Sequence, residues 1–465
     1  MPATDSPAII VARFLKSSNY TETYDAFIAE AGLPSDAGTV SKGDLTIEQL
    51  LEEKKTFDLS RNFEKLGVEE DDDGKGWLKP APENAERVSS LPSSSNILSV
   101  AVHTVQFPDG AMPALFATSA DRRLHVLDAS TIALRASLAG LQDSPMLSCV
   151  VFRQKYLLTA AMSGQLLVSN VDGSTVESRR DHSKYIVRVA VRDDASEPLI
   201  ATAGWDGKIM IYRPSVTSSG EMSLADPKAT ITLPTKPEAM IFVEHAEAQQ
   251  PLLIVTRTDS SFLYYYTTES EPRLLGRQNL APHSNAWVAF TPSAMAVSPR
   301  DPTLVAVGTS TVPHMKLLLV RLLVPSYEQQ TQPTTQRYHI SAHNDPPTAP
   351  ETQSSQARRE LALADRESVA IQIHCTTMAP QTAYSTPAVA WRPDGSGVWV
   401  NGDDGAVRGV EASSGKVVCT LQGGHEAGSK VRCLWAGRVG DGEVLVSGGF
   451  DQRLIVWRAG VVGVA

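Results

Sequence analysis

Two stretches of the chain, far apart in sequence, share one pattern. Residues 200–213 read IATAGWDGKIMIYR, and residues 445–458 read LVSGGFDQRLIVWR. In each stretch an apolar run leads into small residues and an Asp, and an alternating run that ends in an aromatic residue follows. The positions that agree in spacing are Thr202, Asp206 and Tyr212 in the first stretch and Ser447, Asp451 and Trp457 in the second. The pattern predicts two antiparallel strands joined by a tight turn at the Asp.

A histidine lies upstream of each stretch, His182 in the first case and His425 in the second. With these histidines, each unit resembles a WD repeat, which forms one blade of a β-propeller. The resemblance implies two buried hydrogen-bond networks, formed by His182, Thr202, Asp206 and Tyr212 and by His425, Ser447, Asp451 and Trp457. A His and an Asp could also form a catalytic dyad. We favour the structural interpretation because the same positions recur in both units.

The region from residue 84 to residue 465 consists of short apolar runs that alternate with turns rich in Gly, Asp, Ser and Pro. It divides into units spaced roughly 40–50 residues apart, the length of a four-stranded blade. We therefore expect a mainly β fold, a seven-bladed WD-repeat β-propeller over 84–465. Within it, residues 325–365 are rich in Gln, Thr, Pro and Ser, a composition that predicts a disordered insertion.

The final unit contains only three strands before the sequence ends. A third strand left at an edge would expose unpaired backbone groups to other chains. We expect residues 84–91 to supply the fourth strand by pairing with Leu454–Trp457. Such pairing would join the first part of the propeller to its last and close the ring.

Residues 1–67 have helical rather than strand periodicity. Val11, Phe14 and Leu15 share one apolar face, and Tyr20 and Phe27 continue it on a second helix. The segment resembles a LisH motif, a small helical dimeriser. The resemblance implies a homodimer in which these five residues are buried against a second copy of the chain. The alternative is that the helices pack on the propeller instead.

The N-terminal region has three further features: a helix-ending residue, a third helix and an acidic linker. Asn19, where the LisH family has Gly, also tolerates the left-handed conformation that ends a helix. A third helix is expected from Thr46. Residues 68–83 include the acidic run 69–73 and are predicted to form an acidic linker.

Charge and cysteine usage exclude several classes of protein. A net charge of −10 and a pI of 5.5 argue against binding to nucleic acid or directly to a membrane. The four cysteines lack CxxC spacing, which argues against a disulfide framework or a zinc site. The N-terminus lacks the features of a signal peptide. We expect a protein of the cytoplasm or nucleus with no cofactor and no metal.

The sequence carries no GxSxG, P-loop or HExxH motif, so the function that we expect is not catalytic. The main hypothesis is a protein-interaction scaffold that dimerises through its LisH segment and binds partner proteins on the propeller faces. The alternative is a subunit or substrate receptor of a ubiquitin-ligase complex. A propeller hydrolase would need an active-site constellation at the central channel, and the sequence indicates none.

Overall fold

The computed structural model describes residues 6–40, 46–48, 76–216, 222–284, 289–327 and 353–459. The chain divides into two compact units, Met1–Asp73 and Gly74–Ala465. Within the described ranges, the first unit contains two helices and the second contains seven four-stranded antiparallel sheets. The mainly β, seven-bladed propeller that the sequence predicts is therefore confirmed.

The N-terminal unit contains helices α1 (Pro7–Ser17) and α2 (Thr21–Ala31). The Ser6 hydroxyl accepts from the Ile9 amide at the start of α1, and Asn19 adopts a φ of 61° between the helices. The left-handed conformation expected at Asn19 is thus confirmed. Of the third helix expected from Thr46, all but residues 46–48 lie outside the described residues.

Blades 1 to 4 follow one another along the chain, and the strands within each blade pair in sequence order. Blade 1 contains β2 (Ile97–Phe107), β3 (Gly110–Ser119), β4 (Arg123–Asp128) and β5 (Leu134–Ala139). Blade 2 contains β6 (Met146–Phe152), β7 (Tyr156–Ala161), β8 (Leu166–Asn170) and β9 (Thr175–Arg179). Blade 3 contains β10 (Ile186–Arg192), β11 (Leu199–Gly204), β12 (Lys208–Tyr212) and β15 (Ala229–Thr232), with the small hairpin β13 (Ser215–Val216) and β14 (Met222–Ser223) before its last strand. Blade 4 contains β16 (Pro237–His245), β17 (Gln250–Arg257), β18 (Phe262–Thr267) and β19 (Leu274–Asn279).

Blades 5 to 7 complete the ring. Blade 5 contains β20 (Thr291–Val297), β21 (Leu304–Ser310), β22 (His314–Arg321) and β23 (Ile371–Pro380). Blade 6 contains β24 (Val389–Trp391), β25 (Gly397–Asn401), β26 (Val407–Glu411) and β27 (Val417–Leu421). Blade 7 contains β28 (Val431–Val439), β29 (Gly442–Gly449), β30 (Leu454–Ala459) and, from the other end of the propeller sequence, β1 (Pro82–Arg87).

The core of the propeller lies between blades rather than within them. Each of seven clusters of buried apolar side chains joins one blade to its neighbour, and the last cluster in the ring joins blade 7 to blade 1. The middle strands therefore have both faces covered, as in β7 and β11, all of whose residues are buried. This explains why these strands read as continuous apolar runs with small residues.

The ring closes through β1 as expected from the sequence. In β1, Ala85 pairs with Trp457 and Arg87 pairs with Ile455, antiparallel to β30. Val88 follows β1 and belongs to the apolar cluster between blades 7 and 1. Closure thus combines a backbone ladder with a buried side chain, and β30 has no free edge.

The structure corrects the predicted insertion. Within 325–365, residues 353–365 belong to helix α3 (Gln353–Ala370), which leads directly into β23. The side chain of Glu367 is buried and accepts a hydrogen bond of 2.7 Å from the Asn279 amide of blade 4. The prediction of disorder is therefore wrong for 353–365, because a tertiary contact and helix-forming residues outweigh the polar composition. Residues 328–352 lie outside the described residues.

The predicted acidic linker, 68–83, extends too far toward the propeller. Trp77 makes an edge contact with Trp399 at 5.0 Å between ring centroids, and the guanidinium of Arg392 lies 4.4 Å from the Trp77 ring centroid. Residues 76–81 thus pack as part of the propeller, and β1 begins at Pro82. The remaining residues of that linker, 68–75, lie outside the described residues.

Candidate functional site

The antiparallel order of strands fixes which loops share a face. The first and third strands of each blade begin at the same end, where the second and fourth strands finish. The turn between the second and third strands therefore lies beside the loop that leads into the next blade. We call this end the upper face; it includes the Asp206 turn, the Asp451 turn and the segments that carry His182 and His425.

The predicted network of blade 7 is complete in the structure. Nδ1 of His425 lies 3.1 Å from both carboxylate oxygens of Asp451, and its Nε2 lies 2.8 Å from Oγ of Ser447. Trp457 Nε1 donates to the same Oγ at 2.8 Å. Because Ser447 accepts from Trp457, its hydroxyl can donate to Nε2 while the Nδ1 proton goes to Asp451. All four side chains then have hydrogen-bond partners.

The network of blade 3 has the same His, Asp and hydroxyl but a different aromatic contact. Nδ1 of His182 lies 3.1 Å from Asp206, and Nε2 lies 2.8 Å from Thr202 Oγ1. The Tyr212 hydroxyl donates to Asp181 Oδ2 at 2.8 Å. Asp181 was not among the residues expected in this network. A phenol places its donor farther from the strand than an indole does, so it reaches a neighbouring carboxylate instead.

Neither His–Asp pair is open to a substrate. The side chains of His425 and Asp451 are 0% exposed, and those of His182 and Asp206 are 1% and 6% exposed. Backbone amides of Glu426 and Ser183 also donate to the two carboxylates. Both pairs therefore hold the loop that enters a blade against the turn of that blade, which is a structural task.

Blade 2 contains a substitute for this network that the sequence did not reveal. Gln142 occupies the place of the histidine and donates from Nε2 to Thr159 Oγ1 at 3.0 Å and to the Thr159 carbonyl at 2.7 Å. Ser163 stands where the other units have Asp, and its hydroxyl donates to Asp143. The presence of Thr159 four residues before Ser163 was the available signal, but Gln is not a recognisable member of the pattern.

We expect Asp451→Ala to lower the free energy of unfolding by about 1–3 kcal/mol, because the buried His425 would lose its acceptor. Asp441→Ala, at an exposed turn of the same blade, is the matched control and should change little. Chemical denaturation at pH 7 measures both. An unfolding free energy unchanged by Asp451→Ala would contradict the network described above.

Asp451 should also make the free energy of unfolding depend on pH. Burial alone raises the pKa of Asp451, but hydrogen bonds from His425 and the Glu426 amide outweigh burial, and the net pKa is lowered from 3.8. A carboxylate with a lowered pKa stabilises the folded state above its unfolded pKa, and this stabilisation is lost as the pH falls. The difference between wild type and Asp451→Ala should therefore shrink below about pH 4.

The central channel is lined by the first strands of the blades. A cavity of about 340 Å³ has lining residues on or beside the first strand of all seven blades. A second cavity, of about 310 Å³, is lined partly by the turn of blade 3 and by the loop that leads into blade 6, so it lies toward the upper face. The two cavities share Leu147, Arg188, Thr386, Pro387 and Arg432 in their walls. The two cavities therefore adjoin each other at the upper mouth of the channel.

Residues 82–458 match the family described as UCP007778, beta-propeller domain. The chain belongs to this family. The match begins at the first residue of β1 and ends within β30, so it spans all seven blades and leaves out the N-terminal helices. No curated protein matches the chain.

Exposed aromatic side chains lie beside the channel mouth on the upper face of this family member. Tyr185 and Trp205 stack with ring centroids 5.3 Å apart, and Lys236 Nζ lies 4.6 Å from the Trp205 ring centroid. Tyr384 lies on the wall of the upper cavity with Trp205 and is 90% exposed. Large exposed aromatic side chains beside a cavity are typical of a binding surface. We call Tyr185, Trp205, Lys236 and Tyr384 the aromatic rim.

The five residues predicted to form a dimer interface all lie on the N-terminal helices or between them. Val11, Phe14, Leu15 and Phe27 are partly exposed, and Tyr20 is 55% exposed. The rings of Phe14 and Tyr20 lie 6.3 Å apart. Within this unit the helices bury Ala12 and Tyr24 and leave these apolar side chains only partly covered.

The described part of the chain offers neither a cluster of metal ligands nor a helix that could span a membrane. Among the described residues, no group of three or more His, Cys, Asp or Glu side chains could hold a metal ion. No helix in the described part of the chain is both long and apolar enough to cross a membrane.

Proposed function

We propose that this protein is a non-catalytic interaction scaffold of the LisH–WD type, in which the helices dimerise two chains and each propeller binds a partner protein at its upper face. The aromatic rim is the observation that carries the proposal. Trp205 and Tyr185 are 39% and 37% exposed although they stack on each other. Aromatic side chains lose little conformational entropy on binding and are enriched where interfaces gain most of their energy.

Affinity purification from the native cell, followed by mass spectrometry, tests the partner-binding part. We expect a Trp205→Ser, Tyr384→Ser double variant to lose partners that the wild-type chain recovers. Val369→Ser is the matched control because Val369 is 82% exposed near the start of β23, at the end of blade 5 opposite the upper face. Identical partners for all three chains would contradict binding at the rim. Cullin or RING subunits among the lost proteins would favour the ubiquitin-ligase alternative.

The dimer is tested by Leu15→Asp. The N-terminal helices have 11 residues each, too short to be stable in water without burying their apolar face. An Asp in that face would bury an unpaired charge, so we expect complete loss of the dimer. Light scattering should change from twice the chain mass of 50.0 kDa to that mass itself. Ala29→Asp, at an exposed position of α2, should leave the dimer intact; a wild-type chain that is monomeric at micromolar concentration would refute the proposal.

A further inference from the structure

The first strands of six blades share an irregularity just inside the upper mouth of the channel. The register of pairing with the second strand shifts near the start of β2, β6, β10, β16, β20 and β28. A shift of this kind leaves a residue unpaired in the ladder and re-aims its side chain. The feature therefore determines which side chains reach the mouth.

Three ionisable side chains occur at these irregularities. Arg432 lies between Val431 and Cys433, the two residues flanking the shift in β28, and Arg188 directly follows the shift in β10. Glu238 lies within the shift in β16. All three line the upper cavity. The arginines belong to blades 3 and 7, which are not neighbours, so their side chains enter the channel from separate parts of its wall.

Within the described part of the chain, the charge of Glu238 offsets part of the positive charge of the two arginines. Neither guanidinium forms an ion pair there, and the one hydrogen bond seen for Arg188 is a long contact of 3.5 Å from Nη1 to the Val187 carbonyl. The cavity of about 340 Å³ has no carboxylate among its lining residues. Besides the two arginines, its titratable groups are His103, Cys149 and Cys433. Glu238, in the upper cavity, is the one acidic residue of the two linings.

The electrostatic environment agrees with this geometry. Burial, and then the positive charge of Arg188, lower the pKa of Arg432 to about 10. Burial lowers the pKa of Arg188, although the charge of Glu238 opposes the shift. Burial also raises the pKa of Glu238, and the charge of Arg188 opposes that shift. Two like charges held in a partly dehydrated space cost free energy unless an anion offsets them.

We propose that the upper mouth of the channel is an oxyanion-binding site in which a carboxylate or phosphate group lies between Arg188 and Arg432. Guanidinium groups suit this ligand because their planar array of N–H donors matches two oxygens of an oxyanion. The adjoining cavities, of about 340 and 310 Å³, are large enough for a small ligand or for one acidic side chain of a peptide. The site goes beyond the proposed scaffold function, since it would bind an anion whether or not the aromatic rim binds a protein.

Calorimetric titration of the full chain with inorganic phosphate, in chloride buffer of constant ionic strength, tests the site. We expect saturable binding that is about 10- to 100-fold weaker in Arg188→Gln and in Arg432→Gln, the loss typical of a charge-assisted hydrogen bond. Arg438→Gln is the matched control, because Arg438 is exposed on the same strand as Arg432. It should bind like wild type.

Thermal unfolding separates a binding arginine from a structural one. Without phosphate, Arg432→Gln should unfold at the same temperature as wild type or higher, because a like-charge repulsion is removed. With phosphate, the unfolding temperature should rise for wild type and Arg438→Gln but not for the two channel variants. A lower unfolding temperature for Arg432→Gln without phosphate would assign that residue a structural role and overturn the proposal. Arg432→Lys, which keeps the charge, should retain part of the phosphate response.

A parallel titration identifies the source of the oxyanion. A short Glu-rich peptide and its Gln counterpart are compared with phosphate at the same ionic strength. Arginine-dependent binding of phosphate supports a free small anion, and arginine-dependent binding of the Glu peptide alone supports an acidic segment of a protein. Binding of neither probe, or binding that is equal in wild type and both channel variants, would overturn the proposal.

Discussion

A chain that begins at residue 96 is expected to aggregate, whereas a chain that begins at residue 76 is expected to fold as a soluble propeller. The longer chain keeps β1, whose pairing with β30 completes blade 7. The shorter chain loses this strand and also loses Val88 from the core between blades 7 and 1. The exposed backbone of β30 and the opened apolar interface would then pair with other chains.

Size-exclusion chromatography and circular dichroism of the two chains measure this difference. A third chain that begins at residue 82 keeps β1 but lacks Trp77, so it separates the contribution of the strand from that of the segment before it. We expect this chain to be folded but less stable than the chain that begins at residue 76. Equal solubility of the chains that begin at 76 and 96 would mean that the ring closes without β1.

The second large effect is expected for Arg392→Ala, which should lower the free energy of unfolding by about 3–5 kcal/mol. The Arg392 side chain is 1% exposed, and its Nη2 lies 2.6 Å from Glu443 Oε2 in blade 7. Its Nη1 donates to the Leu78 carbonyl and to Ser396 Oγ, each at 2.8 Å, and the guanidinium stacks on Trp77. Removal of the arginine would leave a nearly buried carboxylate and a backbone carbonyl without their donor.

Chemical denaturation of the chain that begins at residue 76 isolates this effect from the N-terminal helices. Lys79→Ala is the matched control, since Lys79 lies in the same segment and pairs with Glu83 at an exposed position. Surface pairs of this kind contribute about 0–1 kcal/mol. If Arg392→Ala and Lys79→Ala have equal effects, Arg392 does not hold the N-terminal segment against blades 6 and 7.

The elements that were predictable from sequence are those whose signal is local. The hairpins at Asp206 and Asp451 follow from apolar runs, a turn and an aromatic residue at constant spacing, and the histidines lie close upstream in the chain. Closure by residues near 84–91 followed from a count of strands. Each of these inferences needs only that a blade has four strands and that sheet edges are costly.

Helix α3 is an element that the sequence-based prediction missed. Residues 357–370 read ARRELALADRESVA, which is rich in strong helix formers. The surrounding Gln, Thr, Pro and Ser residues obscured this signal, because the prediction of disorder used the average composition of the whole segment. The burial of Glu367 against the Asn279 amide depends on a residue 88 positions away, so the position of the helix could not be inferred from the segment itself.

The sequence by itself determined the repeat, the four-stranded blade and the His–Asp–hydroxyl networks, because each depends on residues within one blade and the loop leading into it. Only the tertiary structure decided which groups meet across blades. Arg392 lies 51 residues from Glu443 and 314 residues from Leu78 in sequence, and Arg188 and Arg432 belong to blades that are not neighbours. The physical reason is that ring closure brings the first strands together around one channel. A local sequence pattern does not predict which side chains then share that space.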